Sequence, residues 1–191
     1  SKNDLQRARD YVSRLAEENV LTQNTIATEN IWQIHKKYIV SEVNSGLVII
    51  DQHVAHERVL YEEALKAFES TSMASQTLLF PENLEFSPDD FDALLDVLPY
   101  LEKIGFRIKK TNESSIRIDA IPSEMAIGNE RDVIREILDN YLDNRKKYSS
   151  FQEGLAAMFA CKAAIKAGDS LIREEMQELV NRLFSTQHPY Y

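Results

Sequence analysis

The stretch Leu47-Val48-Ile49-Ile50-Asp51-Gln52-His53-Val54-Ala55-His56-Glu57-Arg58-Val59-Leu60-Tyr61-Glu62 changes character at its middle. Its first four residues are wholly apolar, as suits a short strand covered on both faces. Asn44-Ser45-Gly46 before them supplies turn chemistry, and Ile31 to Val40 upstream reads as one strand. Together they predict a hairpin that ends at Asp51. From about Val54 to Phe68 the period turns helical, with Leu60, Ala64 and Phe68 on one face and Glu57, Arg58, Glu62 and Glu63 off it. A strand that runs straight into a helix start brings Asp51 and His53 to a place where side chains converge.

Downstream, Ser72 to Phe86 reads as extended, interrupted at Pro81-Glu82-Asn83. Ser87-Pro88-Asp89-Asp90 is a helix start: an N-cap hydroxyl, proline at the first helical position, then acids at the positive dipole end. Phe91, Leu94, Leu95, Leu98 and Leu101 supply that helix with a buried stripe. Strands follow at Phe106–Lys109 and Ser115–Ile121, joined by a turn through Asn112-Glu113. Glu130 to about Lys146 is amphipathic, and Arg145-Lys146-Lys147 complements its C-terminal dipole. Ser150-Phe151-Gln152-Glu153 fits a capping box opening a helix to about Lys166, ended by Gly168, with a last helix over Ser170–Phe184. Residues 1–18 read as a linker or weak helix, and 19–29 show no period. Two strand pairs separated by a capped helix predict an α+β chain of two lobes.

Composition narrows the classes. The 191 residues suffice for one or two domains with a real core. No apolar run reaches the roughly 18 residues of a membrane span, so no membrane partner is expected. The single cysteine, Cys161, has no internal disulfide partner, which suits a cytoplasmic protein. The net charge of −9 argues against a free-standing DNA-binding module, because duplex DNA rewards a cationic surface. There is no Gly-rich phosphate loop and no Walker-type lysine.

His53 and Glu57 are four apart, on one face of a helix, and an imidazole with carboxylates is a sound donor set for zinc or manganese. The spacing alone fits equally a helix N-terminus with acids near its dipole. His35 and His56 read as single histidines, at the surface or satisfied in the core. Cys161 alone reads as well as a buried helix cysteine.

The full string decides between these. Asp51-Gln52-His53-Val54, then Glu57, then Glu62, resembles the endonuclease motif of the MutL family of DNA mismatch-repair proteins, with Val54 in place of the usual alanine. Ala160-Cys161-Lys162 is similar to a second family block. The third block, Cys-Pro-His-Gly-Arg-Pro, has no match up to Tyr191, and His188-Pro189-Tyr190 does not supply it. Gln76-Thr77-Leu78-Leu79-Phe80-Pro81 resembles the short segment with which bacterial proteins dock on the replication sliding clamp.

The resemblance implies a homodimerising, two-lobed C-terminal domain with latent metal-dependent nicking of DNA. Residues 19–75 and 160–191 would form the dimerisation lobe, and 76–159 an inserted outer, regulatory lobe. The Leu47–Ile50 strand would help form the dimer interface. Asp51, His53 and Glu57 would be catalytic, and His53, Glu57 and Cys161 would hold zinc or manganese. Gln52, Glu62 and Lys162 would support them. Gln76, Leu78, Leu79, Phe80 and Pro81 would contact the sliding clamp. Weak binding to DNA and a MutS-type mismatch-recognition partner are also implied, in a bacterial cytoplasm at the nucleoid, and ATP would act only through an N-terminal domain outside these residues. The alternative is a dimerisation and docking module without chemistry, as in relatives that lack the motif.

Overall fold

The computed structural model describes residues 30–43, 46–144, 151–187 and 189. Expectations for residues 1–29, Asn44-Ser45, Arg145-Lys146-Lys147, Ser150 and His188 fall outside them. The described chain is an α+β fold with two separate three-stranded antiparallel sheets and five helices.

The first sheet corrects the reading of Ile31–Val40 as one strand. β1 (Ile31–Ile34) turns through His35-Lys36-Lys37 into β2 (Tyr38–Val43). His35 and Lys36 adopt φ of 54° and 49°, and the Lys37 N–H donates to the Ile34 carbonyl at 3.1 Å. The turn contains no glycine, proline or asparagine, so composition does not flag it. β3 (Gly46–Asp51) completes the order β1-β2-β3. Its apolar run is not covered on both faces: Ile50 is buried, whereas Leu47 and Ile49 are each 68% exposed. Trp32, paired through Val40 with Ile49, and Ile34 are exposed too.

Helix α1 (Gln52–Glu69) starts directly from β3, and the Asp51 carboxylate caps it by accepting from the His53 and Val54 N–H groups at 3.0 and 3.3 Å. β4 (Ser75–Glu85) then runs through Pro81 without the expected interruption. Its register with the neighbouring strand shifts between Thr77 and Glu82. Proline, lacking an N–H, is tolerated where the ladder is already broken. Leu79 and Phe80, at that irregularity, are 86% and 83% exposed.

The Ser87 hydroxyl caps α2 (Pro88–Lys103) by accepting from the Asp90 N–H. Phe91, Leu94, Val97 and Leu101 are buried along it; Leu95, expected in that stripe, is exposed just beside it. β5 (Arg107–Lys110) and β6 (Ser115–Pro122) complete the second sheet in the order β4-β6-β5, and α3 (Glu130–Asn144) follows. α4 (Phe151–Ala163) ends three residues before the expected Lys166. α5 (Arg173–Phe184) starts after Ser170, where the Glu175 carboxylate accepts from the Ile172 N–H at 2.9 Å. Between them Gly168, at φ 106°, ties the chain back to the Lys36 carbonyl through its N–H at 2.8 Å.

Two apolar cores result. Ile31, Ile39 and Ile50 pack with Ala55 and Val59 of α1 and with Met176, Leu179, Val180 and Leu183 of α5. The larger core gathers the second sheet, α2, α3 and the buried face of α4. Leu60 and Ala64 of α1 belong to it as well, so one helix serves both cores. α4 runs unbroken through Ala160, the expected lobe boundary, and packs along α1.

Candidate functional site

Residues that cap and anchor α1 also surround the motif. Gln52 is fully buried, accepts from the Gln33 side chain at 2.7 Å, and donates to the Lys166 and Asp169 carbonyls at 3.0 and 3.1 Å. It fastens the α4–α5 connection to the first sheet. Asp51 caps the helix with one oxygen, and the other lies 3.9 Å from Lys37 Nζ.

His53 is half-buried, and its Nδ1 lies 2.8 Å from the Ile165 carbonyl oxygen. A carbonyl only accepts, so Nδ1 carries a proton, and in the neutral ring Nε2 keeps its lone pair. That nitrogen faces Glu57, with 4.0 Å between Nε2 and Oε2. Two ligands of a tetrahedral zinc, each about 2.0–2.1 Å from the metal, stand roughly 3.3–3.4 Å apart, so the pair would have to close by several tenths of an ångström to share an ion. Among the described residues no group of three or more His, Cys, Asp and Glu is assembled to hold a metal. His53 and Glu57 are thus brought together, whereas Cys161 is not gathered with them and lies exposed on α4. Lys162 pairs with Glu136 of α3 at 2.7 Å, and that hydrogen bond holds its ammonium above its ordinary pKa.

Glu62 stands nine residues beyond His53, roughly 13 Å along the helix axis at about 1.5 Å per residue. It is buried, lies 3.2 Å from Arg58 Nε, and accepts from the Gln187 N–H at 2.9 Å. Its contacts secure the segment after α5 and leave His53 untouched.

His56, read as a single histidine, is a satisfied core residue with only 5% exposure. Its Nδ1 accepts from the Ile165 N–H at 3.0 Å, and its Nε2 is 3.3 Å from Glu124. Both histidines of the motif thus hold one residue, Ile165. Arg182 of α5 contacts Glu124 at 3.0 Å and grips Glu63 with two hydrogen bonds of 3.0 and 2.8 Å. The hydrogen bond from His56 holds the Glu124 carboxyl below its ordinary range against the opposing effect of burial, and Arg182 adds to it. Burial works against the Arg182 charge, but Glu63 and Glu124 outweigh it and raise its pKa. A cavity of about 220 Å³ opens beside this network. Glu124, Arg182, Glu63 and Gln33 carry no sequence signal. Only the three-residue spacing of His53 and His56 placed both imidazoles near one face of α1.

In the docking segment, Leu78 is buried, and Leu79, Phe80 and Pro81 are exposed. The Gln76 amide donates within the chain, to the carbonyls of Pro122, Ser123 and Met125.

Residues 31–171 match the family model described as the MutL C terminal dimerisation domain. The DNA mismatch repair protein MutL of Chlorobium phaeobacteroides (strain BS1) is 37% identical over 161 residues, covering 84% of this chain and 26% of that protein. The MutL of Pelodictyon phaeoclathratiforme (strain DSM 5477 / BU-1) is 36% identical over 177 residues, or 92% and 28%. That of Chloroherpeton thalassium (strain ATCC 35110 / GB-78) is 38% identical over 161 residues, or 84% and 25%. The chain spans about a quarter of the length of these relatives.

Proposed function

The chain belongs to the MutL C-terminal dimerisation family, and from that membership we propose that it forms a homodimer and carries a latent, metal-dependent DNA-nicking site. The observation that carries the nicking reading is the orientation of His53. Its Nδ1 is committed to Ile165, which leaves Nε2 as a lone-pair donor facing Glu57. His53 and Glu57 would hold a zinc or manganese ion, completed by Cys161 or by donors outside the described residues. Bound there, such an ion supplies Lewis acidity toward a phosphate and lowers the pKa of a water. Asp51 keeps the helix start, and so His53, in place. Gln52 fixes the connection that contains Ile165.

Dimerisation uses the open face of the first sheet. Trp32, Ile34, Leu47 and Ile49 are all exposed there, and a contiguous apolar face on a folded domain marks an interaction surface. Recruitment uses the second sheet, where Leu79 and Phe80 stand out from the β4 irregularity as an apolar-aromatic pair for the bacterial sliding clamp. DNA, repelled by a net charge of −9, would be delivered by the rest of the protein and its MutS-type partner.

The purely structural reading, dimerisation and docking without chemistry, is favoured by the capping role of Asp51 and the pairing of Lys162 with Glu136. Nicking of supercoiled plasmid by the full-length protein with manganese separates the two. Glu57 is half-exposed, so Glu57→Lys should fold, dimerise and lose nicking by at least about 100-fold, the rate ratio equivalent to about 2.7 kcal/mol. A variant that nicks as fast as the parent leaves the docking module as the function.

A further inference from the structure

Gln76, Glu124 and the α1 pair His56 and His53 come from three parts of the chain, yet a series of hydrogen bonds links them. The Gln76 amide nitrogen Nε2 lies 2.6 Å from the Met125 carbonyl, 3.2 Å from that of Pro122 and 3.3 Å from that of Ser123, and so holds the turn after β6. That turn presents Glu124, whose Oε2 is 3.3 Å from His56 Nε2. Because His56 Nδ1 accepts from the Ile165 N–H, its proton resides on Nε2 and is directed at Glu124. Ile165 then accepts the Nδ1 proton of His53 on its carbonyl. Each bond fixes the tautomer or aim of the next group.

We propose that His56 and Glu124 are positioning residues for His53, with Gln76 holding the turn that presents Glu124. The proposal rests on the reading of His53 as a metal ligand. Without the Gln76 amide the turn loses an anchor, Glu124 no longer holds the His56 proton in place, and the grip of His56 on Ile165 loosens. Arg182 and Gln52 still restrain the two ends, Glu124 and the Lys166–Asp169 connection. The response is therefore a local change at His53 and leaves the fold intact.

The side-chain amide of glutamine carries an acceptor oxygen and a donor NH2, the two functions His56 uses, so His56→Gln can replace both bonds. Leucine keeps the bulk and neither bond. The test is long-range ¹H–¹⁵N correlation of the metal-free chain labelled at histidine, at neutral pH. His53 should show the Nδ1–H tautomer in the parent and in His56→Gln. In His56→Leu, Glu124→Ala and Gln76→Ala, its two ring nitrogens should move toward the averaged positions of exchanging tautomers. Gln76 and Glu124 are partly exposed, so those two variants decide the matter if His56→Leu fails to fold. Unchanged His53 signals in both, with parent circular dichroism, overturn the proposal, as does a His56→Gln variant that behaves like leucine. The measurement needs neither metal nor DNA, so a chain with the relay intact that still does not nick would refute the nuclease reading alone.

Discussion

The Nδ1 nitrogen of His53 lies 2.8 Å from the carbonyl oxygen of Ile165, 112 residues further along the chain. That contact decides which imidazole nitrogen remains a lone-pair donor, and it makes the α4–α5 connection part of the site. The motif on α1 carries His53, but a residue far away in sequence aims its ring.

The open sheet face should control assembly. Ile49→Glu places a charge on a residue that is exposed in the single chain and would be buried in the proposed dimer. A stable interface removes at least about 1,200 Å² from solvent, and an unpaired carboxylate inside it is costly. The parent should sediment as a dimer at micromolar concentration. Ile49→Glu should sediment as a folded monomer, and a dimer of unchanged affinity would place the interface elsewhere.

Leu79 and Phe80 contribute almost nothing to the core, so replacing both with alanine should alter stability by less than about 0.5 kcal/mol. The same double variant should lose clamp-stimulated nicking while keeping its metal content. Chemical denaturation and a plasmid assay with and without the clamp read the two halves separately. Stimulation that survives would exclude this strand as the docking site.

Gly105 is the glycine whose replacement should harm the fold most directly. It adopts φ of 107°, and a Cβ there would lie 2.7 Å from the Ala74 carbonyl oxygen and 3.2 Å from Pro122 Cα. Both neighbours are backbone, so relief requires the chain entering β4 and the end of β6 to move. Gly105→Ala should cost at least about 2 kcal/mol, from forbidden dihedrals together with the clash. Urea denaturation showing less than about 0.5 kcal/mol would contradict the geometry.

Glu124 should make stability depend on pH. Its folded pKa is depressed, first by the hydrogen bond from His56 and then by Arg182. A depressed carboxyl stabilises the fold above its ordinary value of 4.5 and loses that contribution as pH falls through the lower, folded value. Glu124→Gln should therefore destabilise the protein by about 1–2 kcal/mol at neutral pH, the scale of a charge-assisted hydrogen bond. The difference from the parent should shrink steadily below pH 4.5. An equal difference at neutral and acidic pH would show that the charge has no part in it.

Much was legible in the sequence because local chemistry dictated it. Ser87-Pro88 starts a helix wherever it stands, since the hydroxyl satisfies an orphan N–H and the ring presets φ. Asp51 through Glu62 identified the family, and the junction of strand and helix put His53 and Glu57 one turn apart. Other features belonged to the tertiary structure alone. The His35-Lys36 turn has no compositional mark, and whether Leu47 and Ile49 face a core or the surface depends on which elements cover the sheet. The partners of His53, His56 and Glu62 are Ile165, Glu124 and Gln187, reached only after two further layers have packed. A side chain's reach and its local backbone are written in a few neighbouring residues; its partner, and so its tautomer and its role, is chosen by what the folded chain brings within about 3 Å.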